Sequence, residues 1–200
     1  MSDDATVYLQ TLSDLLLNVE VTDARGTLIG LDGGVEQAVE LLMAARAFKR
    51  KVMLVGNGGS AAIVSHVHND LSKTLGIRAL VFNETPLLTA LANDSSYAHV
   101  FERPVESWAE AGDVLVAVSS SGASESILRA AKAASDRECE LITLSGFRAD
   151  NALRAKGHVN FYVASGVYGL VETAHAALLH CITDGAGVRV AAASETRVRA

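Results

Sequence analysis

His66, His68, Asn69 and Asp70 cluster in one helically patterned stretch of this chain, and Glu172, His175 and His180 cluster in another. On a helix His66 and Asp70 stand at i and i+4, so both leave the same face one turn apart and can share a cation. Glu172 and His180 lie eight residues apart, about 80° around a helix axis, close enough to converge on one groove. Two imidazoles and two carboxylates suit zinc, and other divalent metals are compatible. Taken alone, a His/Asp pair at this spacing is also what a helix-surface hydrogen bond looks like.

Two further segments have the composition of anion sites. Gly56-Asn57-Gly58-Gly59-Ser60 follows a short apolar run, and its three glycines let backbone N–H groups approach a ligand while Ser60 can cap the next helix. Ser119-Ser120-Ser121-Gly122-Ala123-Ser124 follows another such run with a cluster of hydroxyls. A helix N-terminus after either turn attracts phosphate. Neither segment has the spacing of the dinucleotide G-x-G-x-x-G or the lysine of a P-loop, so nucleotide chemistry is disfavoured. Each loop by itself also reads as a tight turn with an N-cap; two equivalent loops favour a phosphoester site.

The elements that must position these residues follow from hydrophobic period. The runs 52–55, 79–82, 114–118, 141–144 and 159–163 are short, aliphatic and without a polar face, as expected of parallel strands covered on both sides. Segments 60–75, 98–110, 124–135 and 168–183 read as the crossover helices between them. The alternation predicts a three-layer αβα sandwich on a five-stranded parallel sheet. Residues 5–48 carry Leu9, Leu12, Leu16 and Val19, then Val35, Val39, Leu42 and Met43, at helical spacing around a turn at residues 30–34, which predicts a helical pair. The expected organisation is a helical extension over 1–50, part of the same unit as a binding domain over 51–190, and a frayed tail over 191–200 that could instead serve an oligomer contact.

Composition narrows the function. Half of the 200 residues are apolar and 20% are charged, which describes a globular chain and excludes a fibrous or disordered one. Seventeen Lys+Arg are scattered against 23 Asp+Glu, a net charge of −6, which argues against nucleic-acid binding. No apolar run reaches the ~18 residues of a membrane span, and residues 1–4 are acidic and polar rather than a secretory leader, so a cytoplasmic location is expected. Cys139 and Cys181 have no CxxC spacing and read as buried free thiols in a reducing compartment.

The loops at 56–60 and 119–124, together with Leu91-Ala92-Asn93-Asp94, Leu141-Ile142-Thr143-Leu144-Ser145-Gly146 and the histidine-bearing last helix, resemble the sugar isomerase (SIS) family, and within it the phosphoheptose isomerases, from about residue 31 to 183. That resemblance implies a SIS fold and an aldose–ketose isomerase acting on sedoheptulose 7-phosphate through an enediol. It places Ser119, Ser121 and Ser124 on the sugar phosphate and Asn57, Ser60 and Asp94 on sugar hydroxyls, with Gly58, Gly59, Asn93, Ser120 and Glu172 completing the substrate lining. His66, Asp70, Glu172 and His180 fall on the family's metal-ligand positions, with zinc the expected cofactor, Asp70 the likelier base and His180 its acid/base partner. His68 and His175 fall on no ligand position and read as solvent or packing residues. Asp70 is one methylene shorter than the usual Glu, Glu172 replaces a neutral Gln, and Gly169 stands where an Asp is common. The resemblance further implies a homotetramer. Two other readings share these motifs: a non-catalytic SIS protein that binds sugar phosphate or associates with the replication initiator DnaA, and an isomerase for another sugar such as an octulose phosphate.

Overall fold

The computed structural model describes residues 4–198. Five strands, β2 (Lys51–Gly56), β3 (Arg78–Val81), β4 (Val114–Ser119), β5 (Glu140–Ser145) and β6 (Val159–Tyr162), form a parallel sheet on the expected apolar runs. β2 and β4 are buried along their whole length, whereas β3, at one edge, is half-exposed. A sixth strand, β1 (Glu20–Asp23), which the periodicity does not reveal, pairs antiparallel with β6, and the order is β1-β6-β5-β4-β2-β3. Within the 1–50 extension the chain therefore runs α1 (Ala5–Leu17), β1, α2 (Gly30–Ala47) rather than helix to helix. Val21 on β1 is fully buried against Gly34 of α2, where any Cβ would overlap the valine side chain. That close approach is why α2 carries a glycine inside its second turn.

The strands alternate between two cores, so both sheet faces are covered. Val52, Leu54, Val116, Ile142 and Leu144 pack with Val39 and Leu42 of α2, Val64 and Val67 of α3 (Gly59–Asn69), and Val171 and Leu178 of α7 (Tyr168–Val198). Met53, Val55, Leu115, Ala117 and Leu141 pack on the other face with Val105 of α5 (Glu102–Trp108) and Ile127, Ala130 and Ala134 of α6 (Glu125–Asp136). The result is the three-layer αβα sandwich.

Four local departures from the sequence pattern have physical causes. The stretch 98–110 is divided into a 3₁₀ turn (Tyr97–His99) and α5, whose first turn holds Pro104, where a missing N–H costs nothing. Ahead of it, α4 (Thr85–Asp94) holds Pro86 in its first turn for the same reason and ends with Asn93 and Asp94. The helix over 60–75 widens after α3 into a π-helical turn (Asp70–Thr74), closed by Leu75 N–H on Asp70 O at 3.1 Å. Such turns are rare and gather at functional sites. Finally, α7 continues to Val198, where the sequence suggests a frayed tail; alanine, glutamate and arginine keep helix propensity after the apolar period stops. Arg199 and Ala200 of that tail lie outside the described residues. No described helix is long and apolar enough to cross a membrane. Cys139 is buried as expected, its thiol pushed up to about 11 by burial, whereas Cys181 is exposed.

Candidate active site

β2 and β4 are neighbours whose connections leave in opposite directions, β2 toward β3 and β4 toward β5. In an open α/β sheet that reversal opens a crevice at the strands' carboxyl ends. Both motif loops leave the sheet there, since Gly56 ends β2 opposite Val118 and Ser119 ends β4. They enclose a cavity of about 220 Å³ lined by Asn57, Gly58, Gly59 and Ser60 from one loop and Ser119, Ser120, Ser121 and Ser124 from the other. Tyr168 and Glu172 of α7 complete the wall.

No lysine or arginine lines this cavity, so an anion bound in it is held by hydroxyls and backbone amides. Gly58, with φ +53°, is the cap residue of α3, and α3 begins without a side-chain cap. Ser60 thus sits inside the first turn instead of capping it. Gly56 must lack a side chain, because a Cβ there would lie 2.7 Å from the Ser60 carbonyl oxygen. Ser124 is the cap residue of α6, again without a side-chain cap bond, and its hydroxyl accepts from Ser119 Oγ at 3.4 Å. Two uncapped helix N-termini and five serines face one small volume, which is the composition of a phosphate cradle. Ser120 Oγ is buried with no hydrogen-bond partner among the described residues.

The histidines and acids of α3 and α7 meet farther along these helices. His66, Asp70 and His180 bring one ligand atom each within 4.8 Å of one another. Asp70 Oδ2 lies 3.5 Å from His66 Nε2 and 3.7 Å from His180 Nδ1, and the two rings meet edge to face at 5.1 Å. Glu172 does not join this group. Its carboxylate lies against Gly59, where an added Cβ would overlap it, at the start of α3. Eight residues turn a helix only about 80° but carry it about 12 Å along its axis, which separates Glu172 from His180. Gly59 beside Glu172 and His66 beside His180 show that α3 and α7 run side by side in the same sense.

The remaining candidates are distributed as follows. Asn93 and Asp94 close α4 in exposed positions, Asn93 Nδ2 donating to Asp94 Oδ1 at 2.9 Å, and they do not line the cavity. His68 is half-buried outside the trio. His175 is fully buried, its Nε2–H donating to the Ser145 carbonyl at 3.1 Å and its Nδ1 without a partner among the described residues. Tyr97, Ser126 and Tyr168 come to the site without a sequence signal: the Tyr97 hydroxyl donates to Asn57 Oδ1 at 2.8 Å, and Asn57 Nδ2 donates to Ser126 Oγ at 3.0 Å.

Burial holds the His175 imidazole down to about 4, against 6.5 for a solvated histidine, so the folded protein keeps it neutral. Below pH 6.5 the unfolded chain takes up a proton that the folded chain refuses, so this contribution to stability is lost as pH falls from 6.5 toward 4. Between pH 7 and pH 5 the linkage amounts to about 2 kcal/mol. Urea unfolding at the two pH values should show that drop in the wild type and a smaller one in His175→Leu; equal drops would place the acid sensitivity elsewhere.

The family model for the SIS domain matches residues 8–146 of this chain. A phosphoheptose isomerase of Helicobacter hepaticus is 31% identical over 182 residues, covering 88% of this chain and 92% of that protein. One of Bordetella avium is 36% identical over 156 residues, covering 74% and 79%. Among solved structures, the phosphoheptose isomerase of Neisseria gonorrhoeae superimposes with a TM-score of 0.76 at 27% identity, covering 90% of this chain and 95% of that one.

Proposed function

Because this chain belongs to the SIS domain family, among the phosphoheptose isomerases, we propose that it is a metal-dependent aldose–ketose isomerase converting sedoheptulose 7-phosphate to a heptose 7-phosphate through an enediol. The relatives support a sugar-phosphate isomerase, and the site supports the choice of sugar and cation. The observation that carries it is the meeting of His66, Asp70 and His180 on the two helices whose first turns line the phosphate cradle.

His66 follows Gly59 by about two helical turns, roughly 10 Å, a span suited to an extended sugar rather than a three-carbon phosphate. The cradle would grip the phosphate, and the carbonyl end would then lie against the trio. Two imidazoles and a carboxylate are a donor set that fits zinc with a position left for substrate. When bound there, a divalent cation supplies stabilisation of the oxyanion that develops as the carbon acid ionises.

The rest is work for the chain's own groups. Asp70 turns Oδ2 between the two imidazoles, while Oδ1 accepts from the Asn69 amide at 3.5 Å. Its two oxygens thus divide the labour: Oδ2 would serve the cation, and Oδ1 takes the proton from the carbon beside the carbonyl and returns it to the former carbonyl carbon. His180 presents Nδ1 to Asp70, which leaves Nε2 to exchange a proton with the sugar oxygen. Glu172, set against the cradle, meets substrate hydroxyls rather than the cation. The active unit on this reading is a homotetramer, supported by α1, which leaves Val7, Leu9 and Leu17 exposed, and by an open apolar groove of Leu16, Leu17, Leu31, Val35 and Leu178. A scattering mass of one chain would remove that part.

The test is a panel of seven- and eight-carbon ketose phosphates offered to protein purified without chelators, with its metal content measured. Conversion of the seven-carbon ketose by protein holding about one divalent ion per chain is expected. Conversion of none, or full activity without metal, would sink the reading.

A further inference from the structure

Tyr97 has a hydroxyl contact that neither the cradle nor the trio explains. The residue is 52% exposed, on the 3₁₀ turn after α4, so burial contributes little to holding it. Its hydroxyl donates to Asn57 Oδ1, and the same amide donates from Nδ2 to Ser126 Oγ, which is buried in the first turn of α6. Asn57 is flanked by Gly56 and Gly58, neither of which has a side chain to anchor the loop. The Asn57 side chain is therefore the handle by which the glycine loop is held. One end is fixed to the helix that follows the serine loop and the other to Tyr97. The turn carrying Tyr97 is itself tied to α6 a second time, through the His99–Glu102 pair and the 3.7 Å contact of Glu102 with Arg129.

Resting on the proposed function, we infer that Tyr97 is a positioning residue for the reaction: acting through Asn57, it holds the glycine and serine loops in register as one cradle. An amide has two N–H donors and two carbonyl lone pairs, so after both clamps Asn57 keeps one N–H and one lone pair for the substrate. Tyr97 itself need touch neither phosphate nor sugar. Misplacing a binding loop by a fraction of the length of a hydrogen bond weakens every contact it makes, which is why a remote hydroxyl can be read in substrate affinity.

Tyr97→Phe removes the hydroxyl and keeps the exposed ring, so folding is preserved. Loss of one neutral hydrogen bond corresponds to roughly a three- to tenfold weakening. The expected result is a rise in KM of that size for the sugar phosphate, a matching loss of inorganic phosphate affinity by calorimetry, kcat within about twofold, and an unchanged melting temperature. Because Tyr97 works through one amide, Tyr97→Phe in an Asn57→Ala background should add nothing further, whereas independent structural roles would multiply. A KM and phosphate affinity within twofold of wild type, or multiplying effects, would overturn the role of Tyr97. Absence of sugar turnover with the phosphate effect intact would remove the proposed reaction and keep this role; absence of both turnover and phosphate binding would remove both.

Discussion

Asp70→Asn lowers kcat by about 10²–10⁴-fold, the range expected when a general base is removed. Asparagine has nearly the shape of aspartate, and Asp70 is half-buried with the two imidazoles and the Asn69 amide against its carboxylate. The fold should therefore survive, with the same circular dichroism and a melting temperature within a few degrees. What disappears is the proton acceptor at Oδ1 and one negative charge toward the cation. His180→Ala should cost as much, because it removes a ring nitrogen from each of the same two duties. The two losses should not multiply, since both groups serve one proton relay. Steady-state kinetics on the phosphoketose checks this; near-normal turnover by either folded variant would defeat the assigned roles.

Ser119→Ala should raise KM by roughly 10- to 100-fold, the loss expected when a hydrogen bond to a charged group worth about 1.5–3 kcal/mol is removed. The cost is high because the cavity holds no lysine or arginine to take over. Ser119 sits at the end of β4 with its Oγ 3.4 Å from that of Ser124, so alanine there leaves the strand pairing intact. The reacting carbons lie away from the phosphate, so kcat should fall less than affinity. Calorimetric titration with inorganic phosphate reads the same loss without turnover. Unchanged affinity in a folded variant would show that the serine loop does not hold the phosphate.

How far these residues could be read in the sequence depends on whether local pattern or tertiary contact decides them. The five parallel strands were legible because strands covered on both faces must be apolar throughout, as β2 and β4 are. β1 was not: Glu-Val-Thr-Asp has too few apolar residues to announce a strand, and it exists by pairing with β6 and burying Val21 against Gly34. The meeting of His66, Asp70 and His180 agrees with helical spacing on α3 and α7. Glu172 stands apart from the trio: a helical wheel gives an angle and omits the rise, and the rise puts its carboxylate at Gly59. Asn93 and Asp94 carry a motif signal alone, and within the chain α4 ends with both in exposed positions. Tyr97 could not be found at all, since its partner lies 40 residues away across the crevice.

The account rests on proton removal by Asp70 next to a sugar carbonyl, and turnover of the phosphoketose in deuterated water, followed by nuclear magnetic resonance, measures that step. Wild-type protein should place solvent deuterium on the carbon beside the carbonyl at a rate comparable with conversion, and Asp70→Asn should place none. Exchange that persists near the wild-type rate in folded Asp70→Asn would mean that another group is the base, and that result contradicts the assignment.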